Sequence, residues 1–420
     1  MSTLRITRRA AERIRAGHLW VYRADIEATQ TEQPGAGSLV TVVDSRNIPL
    51  GTAIYSVAST IAARIVSRAP ELSRAQYLAD VRSRIEAALQ LRRQLAPVNE
   101  RNSAHRLIFS EADNLPGIIA DRYNDLVLLQ LLTQGTAQDD VRDAVVSVLR
   151  EGLAATGEHI TIWERPDPRI REFEELPTPA SGALYTNCHP ERSEGSASEA
   201  PTTTTFALNG LRFHYDAASG QKTGAFLDQR LNYAAAAAHV AASSRKGRAL
   251  DICTYQGGFA LHLAQVCAQV TGVDASHAAL EAADRNLLLN PTLQAETDWI
   301  EADAFEYLRH LDATPEKFDA IVLDPPAFAK SKRAAEGAAR GYKELNLRAL
   351  RLLTPGGTLV TNSCSHHVSL EEFTGIVAAA AVDAGRRVQL LETRSAAPDH
   401  PEILTLPETR YLKCLICRVD

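Results

Sequence analysis

From Phe206 onward the sequence alternates short β-branched runs with helical stretches, and an acidic residue stands at the end of one run after another. This texture commits the C-terminal half to a doubly wound parallel α/β sheet, because parallel strands need crossover helices and those helices cover both sheet faces. The strand cores read as Arg248 to Cys253, Val270 to Val273, Trp299 to Glu301, Ala320 to Leu323 and Thr358 to Asn362. A terminal pair follows near Val388 to Glu392 and Tyr411 to Arg418. Ligands of such sheets bind beyond the carboxyl ends of the strands, so the residues after each run carry the chemistry.

The preceding chain has a different pattern. Arg8 to Ala16 reads as a short helix stopped by Gly17, Leu19 to Tyr22 as a strand, and Leu39 to Val43, Pro49 to Tyr55 and Thr60 to Val66 as strands of a small barrel-like domain over 1–70. Ser73 to Leu95 is helical, with Tyr77, Leu78, Val81, Ile85, Ala88, Leu89 and Leu91 at the apolar positions. Strands at Arg106 to Phe109, Gly117 to Tyr123, Leu126 to Leu132 and His159 to Glu164, with a helix around Gln138 to Leu149, make a central α+β domain over 71–205. Its end, Leu176 to Thr205, is rich in Ser, Thr, Pro and Glu and is expected to be a mobile segment. Residues 206–420 form the third domain, and 420 residues at 45% hydrophobic and 23% charged suit such a globular assembly.

No run approaches the roughly 18 apolar residues of a membrane helix, and the N-terminus has no secretory leader, so a soluble, cytoplasmic protein is expected. Of six cysteines only Cys414 and Cys417 are closely spaced, and no second pair completes a zinc site, so neither a metal nor a disulfide framework is expected. The net charge of −6 argues weakly against nucleic acid, but residues 1–23 hold Arg5, Arg8, Arg9, Arg13, Arg15 and Arg23 against Glu12 alone. Lysine occurs only seven times, so the cations are almost all the forked donors that suit phosphate. Arg8, Arg9, Arg13, Arg15 and His18 are the candidate RNA contacts; the plainer reading is a solvated basic helix face or a general arginine bias.

After the first C-terminal strand, Asp251 to Phe259 contains adjacent glycines, Gly257 and Gly258, that let the backbone approach a ligand before the next helix. Thr254, Tyr255, Gly257 and Gly258 are therefore candidate cofactor contacts. Asp274 ends the second strand, 23 positions after Asp251, where a carboxylate can hold both ribose hydroxyls. Asp303 follows the third strand and could accept from an adenine amino group; acids at such positions also cap helices. These contacts suit a nicotinamide nucleotide as well as S-adenosylmethionine.

The fourth strand ends in Asp324-Pro325-Pro326-Ala327-Phe328, a turn whose prolines fix φ and whose aspartate can grip a ring nitrogen beside an exocyclic amine. The fifth ends in Ser363-Cys364-Ser365, which puts a thiol beside the same crevice. A thiolate there can attack C6 of a pyrimidine and make C5 nucleophilic. A small buried cysteine is the structural alternative for Cys364, and Cys253 reads better as a packing or cofactor-wall residue.

Together, Gln221 to Arg230, Asp251 to Phe259, Asp324 to Phe328, Ser363 to Ser365 and Asp399-His400-Pro401 resemble the bacterial ribosomal RNA large-subunit methyltransferase I family, over nearly the full chain. Gly17 to Tyr22 resembles the opening of its PUA domain, and Arg106 to Tyr123 its central-domain hairpin. The resemblance implies an N-terminal PUA-like β-barrel, a central α+β domain and a Rossmann-like class I methyltransferase domain that uses S-adenosylmethionine on cytosine C5 of 23S ribosomal RNA. It implies Cys364 as covalent nucleophile, Asp324 as the pyrimidine-edge acceptor beside the cofactor, Asp274 and Asp303 as ribose and adenine contacts, and Gln221 and Arg230 at the cofactor and substrate mouth. Where many RNA cytosine-5 methyltransferases carry a second cysteine after the prolines, this chain has Ala327.

The target cytosine must be unpaired or flipped out, because its ring is inaccessible within a stack. Membrane attachment is not expected, and a homodimer stays open. Three other readings remain: methylation of an exocyclic nucleobase amine through the Asp-Pro-Pro-Ala-Phe turn, a nicotinamide-dependent oxidoreductase, and a non-catalytic RNA-binding assembly factor.

Overall fold

A sheet built from crossover units positions everything that follows. The computed structural model describes the chain except residues 1, 28–32, 155–158, 178, 180–181, 188–199, 218–224 and 329–334. Contacts divide it into two units. The first contains Met1–Thr205, Pro398–Thr409 and the stretch that begins at Tyr215; the second contains Phe206–His214, Ala225–Ala397 and Arg410–Asp420.

In the first unit, β1 (Ser2–Arg5), α1 (Arg8–Arg15), β2 (Trp20–Tyr22), β3 (Leu39–Val43), β4 (Pro49–Tyr55) and β5 (Ile61–Ser67) form a five-stranded sheet in the order β1-β3-β4-β5-β2. Thr7 caps α1, accepting from the Ala10 amide, and the helix buries Ala10, Ala11 and Ile14. The strand β1 was not foreseen in the sequence. Its four residues carry little alternation, and it is defined by a non-local parallel pairing with β3.

The long helix α2 (Arg74–Leu95) starts in a capping box between Ser73 and Gln76. There follow β6 (Ala104–Phe109), β7 (Ile118–Tyr123), β8 (Leu126–Leu131), α3 (Asp139–Ala154), β9 (Thr161–Glu164), α4 (Pro168–Phe173) and β10 (Ala183–Thr186), with sheet order β10-β9-β8-β7-β6. Within the segment expected to be mobile, β10 pairs with β9, while 188–199 lie outside the described residues. A hairpin of β11 (Thr203–Leu208) and β12 (Leu211–Asp216) comes next.

The second unit contains α5 (Arg230–Ala242), β13 (Arg248–Ile252), α6 (Gly258–Leu263), β14 (Gln269–Asp274), α7 (His277–Leu288), β15 (Glu296–Glu301), α8 (Ala304–Asp312), β16 (Phe318–Leu323), α9 (Ala335–Leu352), β17 (Leu353–Ser363), α10 (Leu370–Ala384), β18 (Val388–Arg394) and β19 (Lys413–Val419). Its sheet order is β15-β14-β13-β16-β17-β19-β18. All neighbours pair parallel except β19, which is antiparallel to both β17 and β18. The order reverses between β13 and β16, which opens a crevice beyond their carboxyl ends. Leu250, Ile252, Leu323, Leu359 and Leu415 on the sheet pack with Tyr342 and Phe373 of the covering helices. Among the described residues no helix is long and apolar enough to cross a membrane.

The apolar stripe of α2 runs Tyr77, Val81, Ile85, Ala88 and Leu89, and then continues into Arg92, which is 1% exposed. A buried guanidinium needs full satisfaction, and Arg92 makes a forked pair with Asp113 at 2.6 and 2.7 Å and donates to the carbonyls of Arg106 and Asp399. Arg92→Ala is expected to lower unfolding stability by about 3 kcal/mol or more, because it strands the buried Asp113 carboxylate. Urea titration of R92A, D113A and the double variant checks this. The double variant should cost less than the sum of the single ones.

Candidate active site

The register of the parallel ladder sets the site. Ile252 pairs with Leu323 and Leu323 with Thr361, so β13, β16 and β17 end together, and the Asp324 amide donates to the Ile252 carbonyl at 3.1 Å. The side chains just past those ends converge on a cleft lined by Ala225, Phe226, Tyr233, Cys253, Thr254, Tyr255, Gln256, Gly258, Phe259 and Asp324, with Leu208 and Phe213 at its base.

The loop between β13 and α6 is wound tightly. Cys253, Tyr255 and Gly257 have φ of +64°, +52° and +84°. Two non-glycine residues in the left-handed region store strain, which surrounding bonds must hold. The Thr254 amide donates to the Val273 carbonyl at 3.0 Å, the Thr254 hydroxyl to Asp251 Oδ2 at 2.6 Å, and the Tyr255 amide to Asp274 Oδ2 at 2.9 Å. At Gly258 a Cβ would stand 2.6 Å from Cζ of Tyr233, so only glycine fits. Phe226, 38% exposed, has its ring 5.1 Å from that of Tyr255.

Asp251 is fully buried. Its Oδ2 accepts from Thr254 and from the Ala260 amide, while Oδ1 has no partner. Burial lifts its carboxyl to about 7 against the pull of those two hydrogen bonds, and Asp274 adds a further push. Asp274 accepts one backbone amide on each oxygen, from Tyr255 and Ser276, both at 2.9 Å, which orients the carboxylate and leaves lone pairs for a ligand. Asp303 caps α8, its Oδ1 accepting from Phe305 and Glu306, so one oxygen serves the helix and the other is free for a ligand. The bare glycine turn, the aromatic walls, an oriented carboxylate and an orphaned buried carboxylate oxygen fit a ligand with a ribose and an ammonium group, as S-adenosylmethionine has.

Asp324 is lifted well above the usual carboxylate range by burial and by the charges of Asp251 and Asp228, and lowered by Gln229. Gln229 Nε2 donates to Asp324 Oδ1 at 3.0 Å, and Gln229 Oε1 accepts from Asn232 at 2.6 Å, which fixes which way the amide faces. Asn362 on β17 donates to the Leu323 carbonyl at 3.0 Å and ties the two strand ends together. Cys364 then follows, with its Sγ 3.9 Å from the carbonyl oxygen of Pro325, the residue after Asp324. Burial pushes its thiol up to about 11, helped by Asp324 and Asp228 and opposed by Lys413.

Of the other candidates, Gln221 lies outside the described residues, and Arg230 is buried at the first turn of α5. Cys253, its thiol raised by burial, lines the cleft. On α1, Arg13 pairs with Asp25 and lies over the Tyr22 ring, Arg15 pairs with Asp44, and Arg8 pairs with Glu12 on the surface, while Arg9 is exposed. His18 is buried, its Nδ1 accepting from the Trp20 amide and its Nε2 3.4 Å from Glu408. Asp228, Gln229 and Lys413 were missed as site residues. The first two lie inside the quoted Gln221 to Arg230 motif, and Lys413 is a rare lysine within an apolar terminal run, so a signal existed for all three.

Residues 4–68 match the PUA-like domain family, and residues 186–413 match a family described as S-adenosylmethionine-dependent methyltransferase. The chain is 36% identical over 406 residues to ribosomal RNA large subunit methyltransferase I of Escherichia coli O127:H6, covering 96% of this chain and 95% of that protein. The namesake from Photobacterium profundum is 35% identical over 408 residues, covering 97% and 96%. Among solved structures, SMU.776, complexed with SAH, superposes over 100% of both chains with a TM-score of 0.79 at 19% identity, which is a likeness of fold.

Gly258→Ala should push the Tyr233 ring out of the cleft wall and weaken SAH binding about tenfold or more, which is 1.4 kcal/mol or more. Titration calorimetry on the full chain checks this. Unchanged affinity would mean that the glycine turn does not contact the ligand.

Proposed function

We propose, from the premise that the chain belongs to the ribosomal RNA large subunit methyltransferase I family and uses S-adenosylmethionine, that it methylates C5 of a cytosine in large-subunit ribosomal RNA through a covalent Cys364 adduct. The observation that carries this reading is the thiol of Cys364 lying against the Pro325 carbonyl, one residue from the half-buried Asp324. The cofactor removes the nicotinamide alternative, and a furnished cleft gives no support to a purely binding role.

Cytosine presents an acceptor at N3 beside a donor at N4. A carboxyl whose neutral form burial favours matches that edge when protonated, its O–H donating to N3 and its other oxygen accepting from the amine. Donation to N3 draws electron density from the ring and exposes C6. The Cys364 sulfur then bonds to C6, and the C5–C6 π pair moves to C5. S-adenosylmethionine, when bound, supplies the electrophilic methyl group that C5 takes up. Loss of the C5 proton to a base restores the double bond, and the C6–S bond breaks with its electron pair returning to sulfur. With Ala327 after the prolines, the proton passes to water or to a base other than a second cysteine.

Transfer to an exocyclic amine needs the aromatic after the prolines as a stacking face. Phe328 instead packs its ring 4.8 Å from Tyr342 and 5.8 Å from Phe305, which favours the C5 reading. The RNA is held in part by the PUA-like domain. With Arg13 and Arg15 paired to largely buried carboxylates, the exposed Arg9 and Arg8, whose pair with Glu12 lies on the surface, are the cations of α1 best placed for phosphate.

Cys364→Ala should reduce 5-methylcytosine formation at least about a thousandfold, some 4 kcal/mol in the barrier, with SAH affinity retained. Nucleoside mass spectrometry of ribosomal RNA treated with each enzyme reads this out, and persistent C5 methylation would end the covalent scheme. Burial raises the pKa of Asp324, and the proton it would donate is lost as pH rises through that raised value. The rate should therefore fall on the alkaline side even as Cys364 ionises more, and Asp324→Asn should remove that fall. RNA affinity should decline with salt, and R8A/R9A should flatten the slope of log K against log salt by nearly one for each phosphate that the two guanidinium groups neutralise. Filter binding at several ionic strengths checks this, and an unchanged slope would exclude both arginines from the phosphate contacts.

A further inference from the structure

A thiol that titrates near 11 is almost entirely protonated at neutral pH, yet the proposed chemistry needs the thiolate. Two of the groups that act on Cys364, Asp324 and Asp228, are acidic and oppose ionisation. The cation that favours it is Lys413.

Lys413 opens β19, in register opposite Ser363, and is 3% exposed. Its Nζ donates to the Ser365 carbonyl at 2.6 Å and to the Tyr411 carbonyl at 2.8 Å. An ammonium has three donors, so one remains after these two. Among the described residues no carboxylate forms an ion pair with it, and Glu372 of α10 acts on it only at longer range. Burial pulls its pKa down to about 8, while Cys364 pushes it up. A buried cation without an anion is costly and is normally removed or paired. Here the carbonyls that hold it belong to the turn carrying Cys364 and to the segment that leads into β19. Of the other titratable side chains at this turn, Tyr342 is bonded to Ser365 at 2.8 Å and burial favours its neutral form, while the His366 ring lies 5.5 Å from that of Tyr411 and His367 follows on the turn.

We propose that Lys413 is the counter-ion of the Cys364 thiolate, a buried ammonium held on the Ser365 and Tyr411 carbonyls so that its charge is balanced when the thiol gives up its proton. The assignment rests on the covalent reading above for its purpose, though not for its test. It gives the lysine a role in positioning and in electrostatics, with no contact to substrate required. The thiol proton leaves to water, and the charge that remains on sulfur is matched by the lysine until the C6 bond forms. When that bond breaks, the same ammonium receives the departing thiolate.

The test is the rate of alkylation of Cys364 by iodoacetamide at pH 7 in the full-length protein, where Lys413 is charged, read peptide by peptide by mass spectrometry so that the other cysteines do not interfere. Lys413→Gln keeps two donors for the two carbonyls and removes the charge. Its rate of Cys364 alkylation at pH 7, below the pKa of about 8 where Lys413 still carries its charge, should fall at least about tenfold, the loss of thiolate that one pH unit represents. Lys413→Arg should stay near wild type, and SAH affinity should be unchanged in both. Should K413Q fold poorly, as a lowered melting temperature would show, Lys413→Met gives a second uncharged variant. An identical rate at pH 7 in wild type and a folded uncharged variant overturns the proposal. The two readings also fail separately: a Cys364→Ala enzyme that still made 5-methylcytosine would refute the covalent scheme and leave the alkylation shift standing.

Discussion

The parallel ladder of β13, β16 and β17 is the constraint on which the site depends. Their in-register pairing, Ile252 to Leu323 to Thr361, brings three strand ends to one level. Asp251, Asp324 and Cys364 sit within a few residues of those ends, on loops too short to wander. A slip of one residue in β16 would turn Asp324 to the opposite face of the sheet and part Pro325 from the sulfur. The bond from the Asp324 amide to Ile252 and the Asn362 clamp on Leu323 guard against that slip at the place where the ladder runs out.

The charges around the cleft follow one rule. Rather than pairing each acid with a cation, the fold buries Asp251 and Asp324 and lets burial favour their neutral forms. A neutral carboxyl is a donor as well as an acceptor, which suits a base edge that offers both. Holding it in place takes a chain of side chains, from Gln229 through Asn232 to Arg394, which pairs with Glu392 and through it reaches His239. The chain carries no chemistry itself, and its work is to keep one amide hydrogen aimed at Asp324. Buried acids and strained non-glycine turns do not stabilise a fold, and their presence together marks where stability has been given up for function.

The second unit was legible from sequence because its signals are local. β-Branched runs, glycine turns and terminal acids marked all seven strands of its sheet to within a few residues, and the same signals led to Asp274, Asp324 and Cys364. What the sequence hid is non-local. β1 exists because β3 pairs with it, and the reversal of β19 depends on which neighbours it lies between. The charge run on α1 shows the same limit. Six arginines in 23 residues suggested an open cationic face, but Asp25 and Asp44, which pair with two of them, come from other elements of the fold. Gln229 and Lys413 could be noticed as odd residues, but only their partners reveal what they face.

Asp399-His400-Pro401 shows why a motif and a site are different things. These residues were among those that carried the family resemblance, and an aspartate beside a histidine invites a catalytic reading. The chain leaves the second unit after Ala397 and returns to it at Arg410, and the residues between belong to the first unit. There Asp399 is fully buried, its Oδ2 accepting from the Arg106 amide at 2.8 Å and its carbonyl from Arg92 at 3.0 Å. The His400 ring packs 5.2 Å from Phe109. The two hydrogen bonds at Asp399 satisfy groups that burial would otherwise leave unpaired, so replacing Asp399 would strand the Arg106 amide. Within the first unit the motif has a structural role, holding the Arg92 guanidinium and the Arg106 amide.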